Sequence, residues 1–75
     1  MIQINIEYCI KWNYEPEFDR VSKIIKTKID NVSITSNLKL PRTGAFEVSV
    51  NDKIAYSKFN TGEFPTESEI YSWFI

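Results

Sequence analysis

Alternation of hydrophobic and polar residues predicts four β-strands. The clearest alternation opens the chain, where every second residue over 2–8 is hydrophobic, as in a strand with one buried face. Further strands are predicted over residues 32–35, 45–50 and 54–59. The last two flank residues 51–53, Asn-Asp-Lys, whose composition favours a hairpin turn. These two strands should therefore pair antiparallel.

Hydrophobic residues at three- and four-residue steps predict two helices. The first follows Pro16, which suits the opening turn of a helix. Its core face comprises Phe18, Val21, Ile24, Ile25 and Ile29. The second helix should run from about Glu67 to the end of the chain, because Thr66 and Glu69 have the spacing of a capping box.

The order of these elements is β-α-β-β-β-α, which indicates an α+β fold class. A crossover through the first helix should be right-handed and make the first two strands parallel, and the hairpin adds antiparallel strands. We therefore expect a four-stranded mixed sheet with two helices, in a single domain that covers residues 1–75. A polar connection over residues 36–43, with a trans bond before Pro41, should join the second and third strands.

Composition and charge exclude several classes of function. The chain has 75 residues, a net charge of −1 and a pI near 5.3. Its basic residues are scattered, so we expect no binding of nucleic acid. Because no apolar stretch approaches about 20 residues, we expect no membrane segment. With no histidine, one cysteine and two glycines, we expect no metal site, no cofactor, no histidine-dependent nucleophile and no phosphate-binding loop.

Cys9 is the residue to which any covalent chemistry belongs. It ends the first strand and precedes a helix, as in a Cys-x-x-Cys site, where one thiolate attacks a partner and the other resolves the mixed disulfide. Trp12 occupies the second position, so no disulfide can form within this turn. Two interpretations stay open, an exposed reactive thiol or a small buried hydrophobe. A single cysteine fits a reducing compartment, and we expect a cytoplasmic monomer.

Four segments resemble one known family. They are residues 6–9 (Ile-Glu-Tyr-Cys), 43–48 (Thr-Gly-Ala-Phe-Glu-Val), 57–58 (Ser-Lys) and 62–65 (Gly-Glu-Phe-Pro). In this order, and across nearly the whole chain, they make the sequence similar to the Rdx family, the group of selenoprotein W and its relatives. The resemblance implies a thioredoxin-like fold that serves thiol redox chemistry in cell redox homeostasis.

The resemblance also implies roles for residues and partners. Cys9 matches the family's first redox residue, and Trp12 stands where the family has a second cysteine or a selenocysteine. The implied partners are glutathione or protein thiols and, from some relatives, 14-3-3-type adaptors. With one thiol, the chain would form mixed disulfides but would need an external thiol for turnover. Whether it is an enzyme therefore stays open.

Trp12 has three interpretations. It can cover the start of the helix, anchor a contact with a partner protein, or stand for a selenocysteine whose UGA codon is translated as tryptophan. In the second interpretation the domain is a redox-inactive interaction module, and the turn over residues 9–14 is its contact surface. The candidate contact residues are Ile10, Lys11, Trp12, Tyr14 and Phe46. For Phe46 we expect a place in the core before a contact role, and it is included because the resemblance implies that the loop before it lies near the redox turn.

Overall fold

A computed structural model describes residues 1–74, in which a four-stranded sheet is accompanied by three helices. The elements are β1 (Ile2–Tyr8), α1 (Glu15–Lys28), β2 (Val32–Ser36), β3 (Phe46–Val50), β4 (Lys53–Ser57), α2 (Lys58–Thr61) and α3 (Glu67–Ser72). The strand order is β2-β1-β3-β4. β1 pairs parallel with β2 and antiparallel with β3, which pairs antiparallel with β4. The predicted mixed sheet is therefore confirmed.

The number of helices differs from the prediction, because the fourth strand was expected to continue to Phe59. It ends at Ser57, whose side-chain oxygen accepts the N–H of Asn60 and so caps a short helix, α2. Gly62 ends α2 in the left-handed region, with φ of 78°. A four-residue helix has too few residues to show a periodic pattern in the sequence. The correct count within residues 1–74 is three helices, not two.

The last helix is also shorter than predicted. The Thr66–Glu69 capping box forms as expected, with both reciprocal hydrogen bonds present. α3 ends at Ser72, and the N–H groups of Trp73 and Phe74 donate to carbonyls only three residues earlier. This tighter turn replaces the α-helical pattern at the end of the helix. The final residue, Ile75, lies outside the described part of the chain.

The hydrophobic core lies on the side of the sheet that α1 and α3 cover. The residues that are fully buried there come from β1, β3, α1 and α3: Ile4, Ile6, Phe46, Val48, Val21, Ile25 and Ile70. Burial of one such side chain stabilises a fold by about 1.5–3 kcal/mol. Phe46 and Val48 pair directly with Tyr8 and Ile6 across β1 and β3. The core thus fixes the end of β1, where Cys9 follows.

The opposite face of the sheet is polar, and the connection from β2 to β3 lies across part of it. The side-chain amide of Asn37 pairs with both backbone groups of Tyr8, at 2.9 and 3.2 Å. Arg42 makes two guanidinium hydrogen bonds to the Glu7 carboxylate, at 2.8 and 3.0 Å, and a third from its backbone N–H at 2.8 Å. No peptide bond among the described residues is cis, so the bond before Pro41 is trans as predicted.

The ion pair between Glu7 and Arg42 predicts a dependence of stability on pH. Hydrogen bonds from the Arg42 side chain hold the pKa of the Glu7 carboxyl below its usual range, although partial burial opposes this. A carboxyl with a lowered pKa in the folded state stabilises the fold above its unfolded pKa and loses that contribution as the pH falls through the folded value. We therefore expect Glu7→Gln to lower the free energy of unfolding at pH 7 and to flatten its decline below roughly pH 5.

The measurement is urea unfolding at a series of pH values. Glu63→Gln serves as the control, because Glu63 is exposed and forms no ion pair with residues 1–74. If both variants have the same pH profile as the original chain, the Glu7–Arg42 pair contributes nothing to stability.

Candidate functional site at the turn between β1 and α1

The backbone N–H and C=O groups of Cys9 both form hydrogen bonds. Its N–H donates to the carbonyl of Ala45 at 2.9 Å, and its carbonyl accepts the N–H of Tyr14 at 3.0 Å. Within this loop, the N–H of Asn13 donates to the Ile10 carbonyl at 2.9 Å, and Asn13 adopts a left-handed φ of 56°. Asparagine tolerates that conformation better than most residues. The turn is therefore closed at its base and joined to β3.

The thiol of Cys9 points inward. Its sulfur accepts the backbone N–H of Trp12 at 3.3 Å, and the residue is only 1% exposed. The thiolate is the nucleophilic form of cysteine, so a reaction at Cys9 needs a path to this sulfur. The burial corrects the interpretation of Cys9 as an exposed thiol and agrees with the alternative of a buried one. Access to the sulfur requires a movement of the turn.

The indole ring of Trp12 covers Gly44, which belongs to segment 43–48, one of the four segments that resemble the Rdx family. A Cβ atom added to Gly44 would stand 2.9 Å from Cζ3 of the indole, and Gly44 has a φ of +80°. Both the backbone angle and the close approach of the ring therefore favour glycine at this position. The rest of the indole faces solvent, since Trp12 is 57% exposed. Trp12 therefore packs on Gly44, in the loop before β3, and not over the start of the helix as the first interpretation has it. Its role as an anchor for a partner protein stays a prediction.

The five expected contact residues do not all reach the surface. Ile10 is 63% exposed, and Lys11 is also exposed. Tyr14 is half-buried, with its ring 4.8 Å from that of Phe64 in an edge-on contact. Phe46 is completely buried, which is a correction, because its position on the inner face of β3 places its ring in the core. Of the expected contact residues, Ile10, Lys11 and Trp12 are therefore exposed and Tyr14 is half-buried, and their role in binding a partner stays a prediction.

Two neighbours of the site were not recognised as such from the sequence. The ammonium group of Lys58 lies 5.5 Å from the ring centroid of Tyr14 and 5.4 Å from that of Phe64. Both residues belong to segments on which the family resemblance was based, 57–58 and 62–65. Nothing in either segment alone indicates that it packs beside the turn, because the contacts depend on the tertiary fold.

Across residues 1–74 there is no group of three histidine, cysteine, aspartate or glutamate residues that could hold a metal ion. No helix in this part of the chain is long and apolar enough to cross a membrane.

The contact between Trp12 and Gly44 predicts different costs for alanine at the two glycines. Gly62 has a φ of +78°, nearly that of Gly44, but nothing lies within 4 Å of an added Cβ. Gly62→Ala should therefore cost only the backbone strain, about 1–2 kcal/mol. Gly44→Ala should cost more and should push the indole outward. In a Trp73→Phe background, a red shift of Trp12 fluorescence and chemical unfolding measure these two effects.

A Trp12→Ala background separates the two causes. Without the indole, Gly44→Ala should cost no more than Gly62→Ala. If Gly44→Ala still costs more when the indole is absent, the extra cost arises elsewhere in the segment.

Comparisons with known proteins agree with the fold and identify the family. A model of the Rdx family matches residues 3–72. Migration and invasion enhancer 1 of Bos taurus and of Mus musculus are each 30% identical over 69 residues, which are 92% of this chain. The chain spans 58% of the length of each of these relatives.

Two solved structures have the same fold. A selenoprotein W-related protein from Vibrio cholerae superposes with a TM-score of 0.80 and 21% identity, over 95% of this chain and 89% of the other. A protein from Bordetella parapertussis gives a TM-score of 0.74 with 18% identity, over 95% and 90% of the two chains. The predicted thioredoxin-like fold of the selenoprotein W type is therefore confirmed, and the chain belongs to the Rdx family.

Proposed function

We propose that this protein is a monothiol redox domain in which Cys9 forms mixed disulfides with glutathione or with protein thiols. The main observation in support is the position of Cys9 in a strand-to-helix turn, with its sulfur accepting the N–H of Trp12. In the reaction, the Cys9 thiolate attacks one sulfur of oxidised glutathione, whose S–S bond breaks. One glutathione thiolate leaves and takes up a proton, so that Cys9 is oxidised while the disulfide of glutathione is reduced.

The surroundings of Cys9 suggest a slow reaction. The sulfur is buried, so the turn must open before a disulfide can approach in line with it. With Trp12 in the second position, release of the mixed disulfide needs a second glutathione or another external thiol. We also propose a monomer in a reducing compartment such as the cytoplasm. A selenocysteine at position 12 stays a separate hypothesis, and the codon at that position would decide it.

A second candidate function is supported by the exposure of the turn. Ile10 and Trp12 are 63% and 57% exposed, side by side on a turn that is closed by backbone hydrogen bonds. Large apolar residues in such a position are typical anchors of protein–protein contacts. In this alternative the domain is a redox-inactive module that binds a partner protein, for example a 14-3-3-type adaptor. Cys9→Ser would then leave partner binding unchanged, whereas it would abolish the monothiol reaction.

Treatment with oxidised glutathione tests the first proposal. We expect one glutathione adduct per chain by mass spectrometry, and none in Cys9→Ser. The adduct should form more slowly in the native protein than in denaturant, because the sulfur is buried. Trp12→Ala should speed the native reaction, since it removes the ring that holds the turn against Gly44. No adduct on the native protein, under conditions that modify a control thiol, would exclude the monothiol function.

Restoration of a second sulfur tests the geometry of the turn. In Trp12→Cys, the two cysteines occupy the positions that a Cys-x-x-Cys site uses, where Cα atoms lie within about 4.4–6.8 Å of each other. We expect mild oxidation to consume two free thiols per chain while the protein stays monomeric. Since Trp12 is more than half exposed, its loss should cost about 1 kcal/mol or less.

Thiol titration and gel filtration under oxidising conditions provide the measurement, with Trp12→Ser as the variant that lacks both the indole and the second sulfur. If oxidised Trp12→Cys forms only covalent dimers, the turn lacks the geometry for an internal disulfide, and Cys9 is better interpreted as a structural residue.

A further inference from the structure

The edge of the sheet at β2 is open to pairing. The Ile2 N–H donates to the Asn31 carbonyl and the Asn37 N–H to the Ile6 carbonyl, both at 3.2 Å. Along an edge strand, the backbone N–H and C=O groups of successive residues point alternately toward and away from the neighbouring strand. Since residues 31 and 37 bond to β1, the backbone groups of the even-numbered residues between them point away from β1. These are Val32, Ile34 and Ser36. Within residues 1–74 no group pairs with their N–H or C=O.

The two edges of the sheet differ in how they are protected. β4 carries Lys53 at its start, its register with β3 is irregular between Val48 and Ser49, and α2 follows it directly. Charges and irregularities of this kind are how natural proteins block the pairing of an edge strand. β2, with the sequence Val-Ser-Ile-Thr-Ser, has no charge, no proline and a regular register. It is therefore the edge that a further strand can join.

A groove lies beside this open edge, between α1 and β2. It has a volume of about 310 Å³, and Phe18 and Ile34 form its apolar part. Ser22 also lines the groove, and the residue is only 8% exposed. Its side-chain oxygen is buried and has no hydrogen-bond partner among the described residues. A buried hydroxyl without a partner is unfavourable, so a ligand group that accepts a hydrogen bond from it would remove that cost.

The rim of the groove is basic. Lys23 and Lys26 line it and are exposed, and in the described part of the chain neither forms an ion pair. Asp19 is the one acidic residue in the lining, so the positive charges are in excess. This local charge contrasts with the net charge of −1 for the whole chain. The groove therefore matches an anionic occupant.

We propose that β2 binds an extended, acidic segment of another protein as a fifth strand. The backbone of that segment pairs with Val32, Ile34 and Ser36. Every second side chain faces the groove, where carboxylates meet the two lysines of the rim and one accepts the hydroxyl proton of Ser22. A second copy of this chain fits less well, because pairing of two β2 edges would bring the same lysines of both copies together. The surface does not involve Cys9, and it extends beyond the proposed redox function.

Two synthetic peptides test the proposal. In acetyl-Thr-Glu-Thr-Val-Thr-Glu-Thr-amide, one face of the strand presents glutamate, valine and glutamate. In the matched peptide, lysine replaces both glutamates. We expect the acidic peptide to shift the backbone amide resonances of β2 in the ¹⁵N-labelled protein. The lysine peptide should leave them unchanged over the same concentration range.

Variants of the protein identify the groups that bind. Lys23→Glu combined with Lys26→Glu should weaken binding of the acidic peptide about tenfold. Lys53→Glu combined with Lys39→Glu, away from the groove, should leave it unchanged. Val32→Pro removes an N–H that faces away from β1, which edge strands tolerate, and it should abolish binding. Val32→Thr keeps that N–H and should retain it.

Three results would overturn the proposal. The first is equal binding of the two peptides, which would show that charge does not select the partner. The second is the absence of β2 shifts with the acidic peptide at millimolar concentration. The third is a set of β2 shifts that depends on protein concentration alone, which would assign the edge to a second copy of the chain. The Cys9→Ser variant should give the same peptide results as the original chain, so they are independent of the redox proposal.

Discussion

The hydrogen bond from the Cys9 N–H to the Ala45 carbonyl extends the pairing of β1 and β3 by one step beyond the strands. The candidate site depends on this step. It places Cys9 opposite Ala45, which lies between Gly44, on which the Trp12 ring packs, and Phe46, which is buried in the core. Although residues 9 and 45 are far apart in the sequence, this hydrogen bond holds them together.

The hydrogen bond between Cys9 and Ala45 also explains why segments that are distant in the sequence surround the turn. Phe46 follows Ala45, and its ring centroid lies 5.3 Å from that of Phe64. The ring centroid of Phe64 lies 4.8 Å from that of Tyr14. Tyr14 in turn closes the loop through its N–H to the Cys9 carbonyl. A chain of aromatic contacts thus joins the start of β3 and the segment before α3 to the turn. Changes in the segment that precedes α3 should therefore affect the conformation of the turn.

The sequence predicts the types and order of the long elements because their hydrophobic periods are strong. It fails where an element is too short to show a hydrophobic period, and where the structure depends on contacts between distant segments. The helix over residues 58–61 forms because Ser57 caps it, and the burial of Cys9 follows from the pairing with Ala45. Phe46 was included in the contact surface because its loop was expected near the redox turn. That expectation is correct for the backbone, but alternation along β3 directs the ring into the core.

The burial of Cys9 slows the proposed chemistry without excluding it. To uncover the sulfur, the turn must give up the hydrogen bond from Trp12 and the contact of the indole with Gly44. The backbone bonds of Cys9 can stay intact. One hydrogen bond and one partly exposed aromatic contact amount to about 1–3 kcal/mol, which lowers the reactive fraction roughly 5- to 150-fold. A protein that bound the exposed indole and drew it away from Gly44 would supply this energy. The two proposals therefore meet at Trp12: the monothiol reaction would require its ring to move, whereas the interaction module would bind the ring where it is already exposed.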